Sequence, residues 1–150
     1  MQNRFTLVIS IIPMSIIGKF WISALIISGD LILIFTFVGL GAVGHKGIDF
    51  MQIVIRNFIP FGLSWVLISS SLAAFRPSNL LSIKKILLLI PVMIVCSSLV
   101  AIFVRAFIFD TGFIWTFYLV AIGVQILMIV IWRLLLFYIY ANKLSDSGYN

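Results

Sequence analysis

Glutamate is absent from the 150 residues, which carry only four aspartates, one histidine and one cysteine. Each scarcity excludes a chemistry. A single cysteine, Cys96, leaves no partner for an intrachain disulfide. One histidine and one cysteine cannot by themselves complete the usual ligand sets of zinc or haem, so no metal or cofactor is expected. A hydrolase triad has to be assembled from His45, Asp49 and an unspecified serine with no nucleophile elbow, and no enzyme activity is expected. Charge is scarce as well. Charged residues make up 9% of the chain and hydrophobic residues 63%, where soluble domains run near a quarter and a half. With a mean hydropathy of +1.29, a water-soluble fold is excluded.

What charge there is has one sign. Ten Lys and Arg against four Asp leave a formal charge of +6. These cations stand singly, or in the one pair Lys84-Lys85, at the ends of apolar runs. There they meet headgroups and anionic lipid, so the expected partner is the bilayer and not nucleic acid.

A hydrocarbon core about 30 Å thick needs roughly 20 mostly apolar residues per helix, and the chain holds four such stretches. The expected fold is all-α: one polytopic membrane domain over residues 20–141, with four transmembrane helices in one bundle at about 21–44, 52–75, 85–109 and 113–140. Residues 1–19 resemble a signal peptide but lack a small-residue cleavage site, and Pro13 interrupts them. They are expected to be retained as a short apolar interfacial segment. Residues 142–150 read as a disordered tail. Arg76-Pro77-Ser78-Asn79 supplies the turn between the second and third spans. On alternate sides, seven cations (Arg4, Lys19, Arg76, Lys84, Lys85, Arg133, Lys143) face three (Lys46, Arg56, Arg105). The positive-inside rule then places both termini in the cytoplasm, or on the equivalent side of an organelle membrane.

Stepping by three and four residues gives each helix one face of small and polar residues. These faces are Ser23, Ile27, Asp30, Ile34, Phe37, Gly41 and Gly44; Asn57, Pro60, Ser64, Leu67 and Ser71; Pro91, Ile94, Ser98, Ala101 and Arg105; and Thr116, Leu119, Gly123, Ile126, Val130 and Arg133. Small and hydroxylated residues favour helix contacts in lipid, so these faces are expected to line the bundle interior. Close packing is the commoner meaning of such a stripe, ahead of a substrate path.

Asp30 stands apart because an intramembrane carboxylate costs on the order of 3 kcal/mol on insertion scales. The other acids, Asp49, Asp110 and Asp146, fall in loops or tail. At ~1.5 Å per residue, Arg133 lies about 10 Å to the cytoplasmic side of Asp30 and Arg105 at least as far toward the outside. Three readings stay open: an ion pair with Arg133 or Arg105, a protonated acid hydrogen-bonded to serines, and a proton- or cation-handling site. Asp30, Arg105 and Arg133 form the candidate intramembrane polar site. His45, Asp49 and Asp110 form a candidate outer cluster, in which His45 is either a solvated loop residue or a group titrating between about pH 5 and 8.

Gly29-Asp30, an aliphatic-aromatic run to Gly39 and His45, Pro60-Phe61 with Trp65, Arg76-Pro77, Arg105, Phe117 and Trp132-Arg133 occur in that order. This pattern resembles the family called domain of unknown function 3054, over about Ser28 to Arg133. The resemblance implies a small four-helix prokaryotic membrane protein with relatives in plastid-bearing organisms and no established activity, and makes Asp30, His45, Arg105 and Arg133 family positions. The expected function is that of a non-enzymatic accessory or assembly partner meeting another membrane protein, or a second copy, through its many aromatics. The alternative is a small proton- or cation-coupled carrier using Asp30.

Overall fold

The computed structural model describes residues 16–43, 49–109 and 115–146. They form five helices, α1 (Ile16–Val43), α2 (Phe50–Ser71), α3 (Pro77–Leu80), α4 (Ile83–Phe109) and α5 (Trp115–Asp146), with no strand among the described residues. Four are long and apolar enough to cross a membrane, over Gly18–Val43, Phe50–Ser71, Ile83–Phe109 and Tyr118–Asn142. The chain is an all-α multi-pass membrane protein.

α1 packs on α2, α2 on α4, α4 on α5 and α5 back on α1, while the backbones of neither diagonal pair approach closely. This is a four-cornered ring of spans, and the short connections make neighbours antiparallel. Chain connectivity links α1 to α2, α2 to α4 and α4 to α5. The remaining side, between the first and last spans, has only side-chain chemistry to close it.

Helix boundaries depart from the sequence reading in physically sensible ways. α1 begins at Ile16 instead of near residue 21, and α5 continues to Asp146 through the first part of the expected tail. The rest of the N-terminal segment, residues 1–15, lies outside the described residues. α2 stops at Ser71, short of 75, because the chain turns there. The Ala74 N–H bonds to Ser69 O at 2.8 Å and the Ala73 N–H to Ser70 O at 3.1 Å, with Ala73 at φ 56. This is the Schellman pair of hydrogen bonds that satisfies the last carbonyls of a helix. Alanine stands where glycine is usual, so the sequence showed no stop signal. Pro77 then opens α3 at its first position, where a missing N–H costs nothing.

The 72–82 connection folds back onto the bundle. α3 packs against α1, α4 and α5, and Ala74, Phe75 and Leu80 are buried. They join a core that includes Ile26, Ile34, Phe61, Trp65, Met93, Ile94 and Ile129.

The buried faces correct the expected stripes. On α1 the buried row is Ile22, Ile26, Asp30, Ile34, Val38 and Ala42, a strict four-residue step that leaves Gly41 exposed with open space around it. On α4, Ile94, Ser98 and Ala101 are inside as expected. On α2, Pro60 and Ser64 are buried, but Leu67 and Ser71 face outward. On α5, only Arg133 of the expected face is buried: Tyr118, Ala121, Gln125, Ile129 and Leu136 line the interior instead, and Gly123 faces open space. The surrounding solvent is as apolar as the interior, so smallness alone does not force a residue inward.

Candidate functional site

At the middle of the α1 span, Asp30 has no exposed surface, and Arg133 on α5 is 1% exposed. The two meet side-on. Arg133 Nη2 donates to Asp30 Oδ2 at 2.5 Å and Nε to Oδ1 at 3.3 Å, a bidentate pair. Trp65 Nε1, from α2, donates to Oδ2 at 3.1 Å. The third nitrogen of the guanidinium, Nη1, donates to the carbonyl of Ala74 at 3.2 Å, and the guanidinium carbon lies 5.7 Å from the centroid of the Phe75 ring. Three donors therefore satisfy the carboxylate, and the cation also bonds a carbonyl and lies over a ring. Isolated burial of either charge costs several kcal/mol, and this geometry is what offsets it.

The local chain explains why these groups converge. The Schellman turn aims the Ala74 carbonyl back into the bundle toward Arg133. The next carbonyl, of Phe75, accepts from Ser23 Oγ on α1 at 2.9 Å, and Asn79 Nδ2 holds the carbonyl of Ala73 at 2.8 Å. Beside the ion pair, the Trp132 indole fills the space that a Cβ on Gly29 would occupy. The dipeptides Gly29-Asp30 and Trp132-Arg133 thus form one joint: glycine admits the indole, and close approach lets the adjacent charges meet.

Of the sequence-derived site residues, Asp30 and Arg133 are brought together and Arg105 is not part of the group. Arg105 lies near the far end of α4, its guanidinium carbon 5.8 Å from the Tyr118 ring centroid. The expected separation of about 10 Å between Asp30 and Arg133 came from centring the last span too early. Its apolar length is Tyr118–Asn142, which puts Arg133 only about three residues from midspan. Of the outer cluster, His45 and Asp110 lie outside the described residues. Asp49 is exposed and caps α2, its side chain accepting from the Met51 N–H at 3.1 Å.

Sequence reasoning missed Trp65, the Ala74 carbonyl and Gln125. Trp65 carried a signal, since tryptophan inside a span, away from the interfacial belt, needs a partner for its N–H. Gln125 carried one too, as an amide in the middle of a hydrocarbon run. The carbonyl had none.

Compared with known proteins, the chain matches the family model described as protein of unknown function (DUF3054) over residues 27–136. That interval begins just before Asp30 and ends just after Arg133, so it contains the whole joint. No curated protein and no solved structure matches the chain.

Proposed function

Starting from a chain that belongs to the DUF3054 family, we propose that this protein works by contact and without catalysis, as an accessory or assembly partner in the membrane. The observation that carries this reading is the closure of Asp30, the one acid buried among the described residues. Asp30 is held by Arg133 and Trp65, and this arrangement ties the first span to the last at the side of the ring that no loop joins. A carboxylate engaged in this way serves as a clasp. A binding or proton-relay role requires it to exchange partners, at the cost of leaving Arg133 buried and uncompensated. Outside the clasp the helices present large apolar side chains, among them Phe20, Trp21, Phe103, Phe107, Trp115 and Tyr138, all exposed. Such surfaces suit lipid, a second copy or another membrane protein. The cation distribution favours both termini in the cytoplasm.

A second reading, the small proton- or cation-coupled carrier, draws on other groups. Ser98 on α4 and Gln125 on α5 are buried, and Ser98 Oγ and Gln125 Nε2 have no partner among the described residues. The register set by Arg105 over Tyr118 brings the two level with each other, seven residues inward along each helix. A polar pair of that kind can host water.

Two experiments separate the readings. Mild-detergent extraction from native membranes is expected to recover the protein in a discrete complex of constant composition. Reconstituted alone in liposomes, it is expected to leave an imposed proton gradient intact. Gradient-driven uptake that disappears in Gln125→Leu would overturn the contact reading in favour of the carrier.

A further inference from the structure

Where the 72–82 connection meets the start of α4, a surface groove of about 720 Å³ opens. Its lining falls into two zones. Arg76, Lys84 and Lys85 occupy one end and Leu88, Leu89 and Val92 the other, with no acidic residue among them. The lysines are in the first turn of α4, whose unpaired N–H groups add positive potential. Leu88 and Val92 lie about 6 and 12 Å further along the same helix, inside the apolar span, and are 70% and 59% exposed. The basic zone is also partly built in place. Lys85 Nζ donates to Asn79 Oδ1 at 2.8 Å, and Asn79 is itself fixed on the Ala73 carbonyl.

A compact cluster of three cations at headgroup depth, continuous with an apolar trough running into the hydrocarbon, has the charge and polarity order of a phospholipid. We propose that the groove binds an anionic phospholipid, its phosphate held by Arg76, Lys84 and Lys85 and an acyl chain lying along Leu88, Leu89 and Val92. This is independent of the role given to Asp30, which lies elsewhere in the bundle. An anionic headgroup is favoured over a zwitterionic one because nothing acidic in the lining complements a choline or ethanolamine. The consequence is a preferred leaflet: the groove anchors the 72–82 end of the bundle to the anionic side of the membrane.

The test is lipid retention. The full chain, purified in mild detergent from nanodiscs of equal phosphatidylglycerol and phosphatidylcholine, is analysed by native mass spectrometry. The expected result is selective retention of phosphatidylglycerol, with each cation contributing about fivefold, and progressive loss of that lipid as salt rises. Arg76→Gln/Lys84→Gln/Lys85→Gln should abolish the preference, and Arg56→Gln, at the other end of the bundle, should not. Equal retention of both lipids by the native protein would overturn the proposal, and that comparison needs no variant to fold. Displacement of the lipid by millimolar inorganic phosphate would assign the cations to free phosphate instead. Absence of bound lipid, with a co-purifying protein lost only in the triple variant, would assign them to an acidic segment of a partner.

Discussion

Trp132 stands against Gly29 so closely that any Cβ at that position would overlap its indole ring. This contact sets how near α5 comes to α1, and the adjacent residues Asp30 and Arg133 depend on that approach. Gly29→Ala is therefore expected to cost about 1–3 kcal/mol by overpacking, read by urea or SDS unfolding in mixed micelles. The loss should shrink in a Trp132→Leu background, because the two sites couple directly. An additive result would separate the glycine from the indole.

Trp65→Phe keeps a ring in the core and removes the indole N–H from Asp30 Oδ2. A hydrogen bond to a charged group is worth roughly 1.5–3 kcal/mol, and a stability loss of that size is expected in the same unfolding assay. No measurable change would mean that the Arg133 contacts alone satisfy the carboxylate.

Ala73 adopts φ 56, a conformation that costs an L-residue about 1–2 kcal/mol and glycine almost nothing. Ala73→Gly relieves this cost and adds freedom to the unfolded chain, so a net gain of about 0.5 kcal/mol is expected. Ala73→Val should lose stability and, by disturbing the turn that presents the Ala74 carbonyl, loosen Arg133. Stabilisation by valine would contradict the turn geometry.

Gly41→Leu and Gly123→Leu should be tolerated within about 0.5 kcal/mol, because both glycines face open space. These substitutions also probe oligomers. A shift in the size of the purified complex on Gly123→Leu would place that face of α5 at an interface between copies.

The contrast between glycines shows what the sequence could and could not convey. Four apolar runs bounded by cations were enough for the four spans, since the bilayer dictates length and composition, and the order of neighbours around the ring was not legible. The clasp was half legible: a lone intramembrane acid demands a partner, and Arg133 and Arg105 were the two candidates for it. The choice between them depended on the depth of α5, which the extension to Asp146 changed. Which face of α5 turns inward was not legible. Counting back from Arg133 by three or by four residues first gives different faces, and Gly123 as a packing residue favoured the wrong one. On α1, Gly29 meets a neighbouring helix and Gly41 does not, and what separates them is the indole on another helix. The Schellman turn at Ala73 was hidden because alanine occupies a position where glycine would have announced it.

The most direct measurement is a double-mutant cycle on the pair that closes the ring, Asp30→Asn, Arg133→Gln and the two together, followed by reversible unfolding in micelles. Each single variant is expected to lose about 3–5 kcal/mol, since it strands a buried polar or charged partner, and the double variant distinctly less than the sum. Additive losses, or an Asp30→Asn protein as stable as the native one, would contradict the claim that this ion pair clasps the first span to the last.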